Sequence, residues 1–217
     1  AVRGRLAIEF KDVCDGYTLT QRLHTETTGP DGDVRDGDYA VTSWESKDGQ
    51  RYRFSIRHTE DGAPPEEFVG TARVGAKGAA TFTKPQGLKL DLPAGTVYPT
   101  EHLALLIRGA RAGERFVPVK VFDGSGDDGV FDVGGSVGKA VDTSALKDPL
   151  LKPLVGKAAW PVRLGYFSTM KKSEQPQYEM SFRLFENGVS DELVLDYGDY
   201  ALKGTLTGFE LFPKPSC

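Results

Sequence analysis

Cysteine is nearly absent from this chain, which has two, and histidine, tryptophan and methionine are scarcely more frequent at three, two and two. That scarcity removes the usual local signatures of a metal centre. No H-x-x-x-H or C-x-x-C spacing occurs, and His24, His58 and His102 stand far apart, so each reads as a structural residue. No run of roughly 18 apolar residues is present, so no segment is built to cross a bilayer as a helix. The first ten residues lack the basic, apolar and small-residue order of a signal peptide. Val2, Leu6, Ile8 and Phe10 look instead like a strand entered partway along, which leads us to expect missing upstream sequence. A basic excess is lacking too: 27 Lys and Arg against 31 Asp and Glu give a net charge of -4. The chain therefore has no overall electrostatic footprint for nucleic acid or an anionic surface, although the sum says nothing about local segregation.

What the sequence does have is the composition of a folded domain. Its 217 residues are 39% hydrophobic, 10% aromatic and 27% charged, which supports one domain spanning 1–217 with a real core. Short, mostly alternating apolar segments recur at 6–10, 17–23, 39–44, 51–57, 68–74 and 80–82. They continue at 116–122, 130–133, 162–167, 178–185 and 202–212. The period of two marks strands with one buried face, and about a dozen of them predict an all-β fold. Asp48-Gly49 and Asn187-Gly188 supply the positive φ angles of tight hairpins. Segments 28–37 and 59–65, rich in Gly, Pro and Asp, read as surface loops. One helix is predicted over 100–112, with Leu103, Leu106, Ile107 and Ala110 on one face behind a Thr100 cap. Pro149 and Pro153 limit a second apolar stretch, 145–155, to a turn or two.

Two segments imitate catalytic or metal motifs. Gly134-Gly135-Ser136-Val137-Gly138 matches G-x-S-x-G literally, but a nucleophile elbow needs a strand-to-helix turn and a later histidine. Here the surroundings are β and all three histidines come before Ser136. Residues 123–129 (DGSGDDG) open like a calcium loop, yet Asp128 stands where an EF-hand needs glycine and Gly134 where it needs glutamate. An acidic hairpin tip is the simpler reading. Aromatic side chains including Tyr17, Trp44, Tyr52, Phe54, Trp160, Tyr166, Tyr178, Phe182, Tyr197 and Tyr200 are spread over most strands. They fill a core, and if the sheet curves without being filled they line an apolar groove.

Cys14 and Cys217 allow a single pairing without demanding it. A bond would tie down the carboxyl terminus and restrain a loop of about 200 residues; two unrelated cysteines are the alternative.

A distributed likeness goes further. EFKDVCDGY at 9–17, SKDGQRYRF at 46–54, LPAGTVYPTEH at 92–102 and VFDGS at 121–125 carry it. So do Tyr178, NGV at 187–189, DYGDY at 196–200 and the closing PKPSC at 213–217. In their order and spacing these segments resemble the EipB family of periplasmic cell-envelope integrity proteins, associated with alphaproteobacteria. The resemblance implies an antiparallel sheet curled into an open β-spiral or incomplete barrel, similar to periplasmic lipoprotein carriers. It implies a disulfide between Cys14 and Cys217 and no catalytic residues. Family members usually carry further strand sequence before the position of Val2, so the beginning of the spiral is expected to be absent or altered here.

The resulting expectation is a non-enzymatic, exported periplasmic protein, without cofactor or metal, that binds or scaffolds an envelope protein or lipid-like ligand and supports envelope integrity under stress. Two alternatives make distinct demands. Carriage of lipoprotein acyl chains needs an apolar cavity of several hundred Å³, on the order of an ordinary ligand pocket. An envelope hydrolase needs clustered acid and base groups with perturbed pKa values, with Asp123, Asp127 and Asp132 as candidates.

Overall fold

A computed structural model of the chain describes residues 1–217 except Pro30, Asp127, Lys171, Lys172 and Lys214. Fourteen strands, one α-helix and one 3-10 turn appear among the described residues. The fold is all-β and antiparallel, as expected, and its chain contacts divide into two compact units.

The first unit comprises 1–98, 122–130 and 213–217. Its sheet contains β1 (Val2–Asp12), β2 (Gly16–Thr28), β3 (Val34–Ser46), β4 (Arg51–Glu60), β5 (Glu66–Arg73), β6 (Gly78–Lys84) and β7 (Lys89–Leu92). These lie side by side in chain order, each paired with the next by a hairpin, so the sheet does not close on itself. Among the described residues β1 pairs with β2 alone and lies at an edge of the sheet. Strands β2 and β3 are 13 residues each, because half of the expected loop 28–37 is strand: Thr28 ends β2 and Val34 begins β3. At Asp48-Gly49 the expected hairpin forms, but its loop is 47–50. Ser46 Oγ accepts the Arg51 N–H at 2.9 Å and donates to Asp48, which sets the longer turn.

Alternation decides what this sheet buries. Even-numbered residues of β1 and β4 and odd-numbered residues of β3 point to one face. There Tyr52, Phe54, Phe82, Tyr98 and Phe122 form the core, all at 3% exposure or less. The rings meet mainly edge to face, with Phe54 and Phe122 centroids 5.5 Å apart and Tyr52 stacked on Tyr98 at 4.8 Å.

The second unit comprises 99–121 and 131–212. After the two-residue β8 (Thr96–Val97) come α1 (Pro99–Ala112), β9 (Phe116–Phe122) and β10 (Val130–Val137). Strands β11 (Ala159–Ser168), β12 (Tyr178–Phe185), β13 (Ser190–Asp196) and β14 (Ala201–Lys203) follow. β9 to β14 are also adjacent in chain order, and this sheet is open as well. The helix starts at Pro99, whose missing N–H is tolerated in a first turn, so Thr100 lies inside the helix and is not its cap. Its buried face is His102, Leu106, Gly109 and Ala110; Leu103 and Ile107 are only half-buried. Gly109 explains the rotation. A β-carbon there would stand 2.9 Å from Val117 Cγ2, so glycine lets the helix settle close against β9 on this side.

The 3-10 turn Pro149–Leu154 matches the proline-limited expectation, with Asp148 Oδ1 accepting the Leu150 N–H at 2.9 Å. Leu151 and Leu154 join Ala159 and Phe185 in a second core cluster. The expected strand at 202–212 is corrected: only Ala201–Lys203 pairs, with β13. The remaining tail is irregular, yet Leu206 and Phe209 still pack against that cluster, which accounts for its strand-like apolar spacing.

Candidate functional site

Cys14 sits in the connection between β1 and β2, where Asp15 N–H donates to Val13 O and Val13 N–H to Gly16 O. Its φ of 68° is left-handed, a conformation that side-chain-bearing residues seldom adopt. Asp12 holds it there: Oδ1 accepts the Cys14 N–H at 3.0 Å. The other Asp12 oxygen takes the Lys47 ammonium at 2.5 Å, and that ammonium lies 4.0 Å from the centre of the Tyr17 ring. The Lys47 hydrogen bond holds the Asp12 carboxyl below its ordinary pKa. Phe10 stacks on the Tyr17 ring at 5.5 Å. Onto this braced turn comes the last residue of the chain. Cys14 and Cys217 form a disulfide with Cα atoms 5.7 Å apart, closing a separation of 203 residues. The partner of Cys14 is thus an irregular arm; no terminal strand delivers it.

The other sequence candidates fall in places of different character. Ser136 lies within β10, is exposed, and donates to Arg163 O at 3.3 Å. It has no elbow around it. Asp123 N–H donates to Gly129 O, so 123–129 is a hairpin tip, with left-handed Gly124 and Gly126 making the turn. Burial pushes the Asp123 carboxyl upward, but Oδ1 already accepts both the N–H and the hydroxyl of Ser125, at 2.9 and 2.7 Å. Asp132 is exposed on β10 and paired with Lys120. Asp127 lies outside the described residues. His24 is exposed on β2, and His58 is 3.8 Å from Glu66 and edge-on to Tyr39. Among the described residues no three His, Cys, Asp or Glu side chains gather as a metal site.

His102 is different, and sequence reasoning caught only its place in the first turn of α1. It is 4% exposed, and its Nε2 has no hydrogen-bond partner among the described residues. Burial lowers its pKa to about 4, so the folded protein holds a neutral imidazole.

Apolar side chains make the broadest surfaces. Along one row of the first sheet Ile8, Gln21, Val41, Ile56 and Phe68 are direct cross-strand neighbours. Ile56 is 3% exposed, Val41 9% and Ile8 57%, so burial fails steadily toward the open edge. The second sheet repeats the pattern. Leu164, Met180, Leu195 and Leu202 are aligned across β11 to β14, but only Leu164 is buried. Beside that row the rings of Tyr166, Tyr178, Tyr197 and Tyr200 follow one another at 4.4, 6.0 and 5.0 Å, the last two tyrosines being exposed. Two open depressions, of about 270 and 260 Å³, lie on the first sheet with charged side chains at their rims. Neither is the apolar cavity that an acyl chain requires.

Comparison with known proteins gives this geometry a family. The EipB-like family profile matches residues 1–213. The chain belongs to the EipB-like family. Cell envelope integrity protein EipB of Brucella abortus (strain 2308) is 31% identical over 213 residues, covering 96% of this chain and 76% of that protein. A crystal structure of a beta-barrel-like protein of domain of unknown function DUF1849, also from Brucella abortus, superposes with a TM-score of 0.87. It is 31% identical, and the match covers 98% of this chain and 89% of that one. Within the EipB-like chain no described helix is long and apolar enough to cross a membrane.

Two predictions follow from these sites. Replacing both Cys14 and Cys217 by serine should lower unfolding stability by about 2–5 kcal/mol, the usual cost of losing a native disulfide. The far-ultraviolet circular dichroism should stay unchanged, because both sheets pair independently of the bond. A denaturation midpoint that does not move would contradict this role. For His102, unfolding frees a group with an ordinary pKa of 6.5 from a fold that holds it at about 4. Between those values the unfolded chain binds the extra proton, so stability is present above pH 6.5 and is lost as pH falls toward 4. The loss amounts to about 3 kcal/mol. Denaturant titrations should show this slope in the native sequence and lose it in His102→Leu, which should be no less stable at pH 7; an unchanged slope would refute it.

Proposed function

We propose that this EipB-like chain is a non-enzymatic periplasmic protein that supports envelope integrity by binding or scaffolding a component on the half-covered apolar faces of its sheets. The observation that carries this reading is the failure of burial along in-register rows, from Ile56 to Ile8 in one sheet and from Leu164 to Leu202 in the other. Apolar surface left in water is costly, at roughly 25 cal/mol per Å², and covering it provides the free energy for a partner to dock. The Cys14–Cys217 bond favours an oxidising compartment, where disulfides persist. The name of the Brucella relative favours the envelope. Resistance to envelope stress follows from the same reading, since losing a scaffold weakens the envelope most when it is challenged.

Native mass spectrometry on protein taken gently from its own periplasm tests the proposal. A retained protein or lipid is expected, and it should be lost when Ile8→Lys and Leu195→Lys place charges in the two apolar rows. A retained diacyl or triacyl chain would select acyl-chain carriage as the form of binding. Bare chain mass under every condition would overturn the reading.

A further inference from the structure

We propose that the outer face of the first sheet carries an anion site in which Arg51, Arg53 and Arg73 hold a phosphate group. Odd-numbered residues of β4, β5 and β6 point away from the aromatic core. In that register Arg51 stands directly opposite Arg73, and Arg53 opposite Thr71, which in turn faces Thr81. The three arginines and two threonines border the depression of about 270 Å³, which Ala79 also lines.

Like charges directly opposed across a sheet are destabilising, and several other cations on this face stand beside carboxylates instead. Arg22 is matched by Asp38 at 2.8 Å, Arg57 by Glu67 at 3.9 Å and Lys84 by Glu67 at 2.6 Å. Among the described residues Arg51, Arg53 and Arg73 form no ion pair. Asp91 lies on the same row beyond Ala79 and pairs with none of them.

Two of the guanidinium groups are also held in place. Their centres stand 4.6 Å (Arg53) and 5.4 Å (Arg51) from the Trp44 ring. Trp44 itself lies across Gly16 of β2, where any β-carbon would collide with the indole nitrogen. An aromatic platform therefore fixes the fork of donors before a ligand arrives, which lowers the entropy lost on binding.

The donor set fits a tetrahedral anion better than a carboxylate. Three guanidinium groups offer more bidentate positions than two carboxylate oxygens can fill, whereas a phosphate presents three or four oxygens, and the hydroxyls of Thr71 and Thr81 add donors. A phosphorylated lipid headgroup and a soluble phosphate ester share this chemistry. The site lies on the face opposite the apolar rows, so its test is separate from that of the proposed partner binding.

Two probes with the same headgroup distinguish the sources: glycerol 3-phosphate followed by calorimetric titration, and phosphatidylcholine vesicles doped with phosphatidic acid followed by co-sedimentation. Binding to both identifies a site for phosphate esters in general; binding to doped vesicles alone identifies a headgroup site. Each arginine changed to glutamine should weaken binding about tenfold, consistent with loss of a charge-assisted hydrogen bond. The triple change to lysine should restore part of it. Arg57→Gln, on the same face but outside the depression, should bind as the native chain does. These arginines are exposed, and circular dichroism verifies that the variants fold. The proposal is overturned if the native protein binds neither probe, or if Arg51→Gln, Arg53→Gln and Arg73→Gln together leave binding unchanged.

Discussion

Everything in this molecule depends on antiparallel hairpins that follow one another in chain order. Among the described residues each sheet is built mainly of strands that pair with their sequence neighbours and ends in free edges, with α1 joining β8 to β9 and packing on β9. Because side chains alternate, apolar residues of neighbouring strands line up as a stripe on one face, with Gln21 and Ser43 as polar members of the rows. The aromatic cluster around Phe54, Phe82 and Phe122 buries that stripe in the middle of the first sheet. The stripe then continues through Val41 to Ile8 after its cover has ended. An open sheet with strands of 11 to 13 residues thus leaves apolar surface in water as a consequence of its topology.

Polar interactions secure the places where this arrangement is weakest. The first turn lies at the open edge and is held by Asp12, Lys47 and the bond from Cys14 to Cys217. In the second sheet, the pairing of β12 with β13 shifts register between Ser181 and Arg183. There Arg183 donates twice to the buried carboxylate of Asp191, at 2.8 and 2.5 Å, and also reaches Glu192 at 3.0 Å. A carboxylate that deep needs both hydrogen bonds, so the pair specifies one register for a strand that otherwise could slip. The arginines beside Trp44 are the exception: three positive charges are left together on one face, two of them directly opposed across the sheet.

Much of this was legible in the sequence because period-two alternation is local. The strands at 51–57, 68–74, 116–122 and 178–185, the hairpin glycines Gly49 and Gly188, and the helix near 100–112 all follow from neighbours a few residues apart. What was not legible depends on register. Arg51 and Arg73 are 22 positions apart, and only pairing of β4 with β5 places them face to face. The tail misled for a related reason: Leu206 and Phe209 have spacing that suits a strand, but β14 ends at Lys203 and the chain buries them without pairing. In the helix, the missing side chain of Gly109 turned the buried face toward His102, a choice made by β9 and invisible in the helical period. The disulfide combined both kinds of information, since the cysteines permitted one pairing and the family likeness selected it.

The central claim is that the half-covered apolar faces are the working surfaces of this EipB-like protein. Site-specific photo-crosslinking in living cells tests it most directly, with a photoreactive phenylalanine at Ile8 or Tyr197 on the core-facing side and at Ala7 or Asp196 on the opposite side. The account predicts discrete adducts from Ile8 or Tyr197 and none from Ala7 and Asp196. Adducts from the opposite side alone, or none from any of the four positions in cells that need the protein, would contradict it.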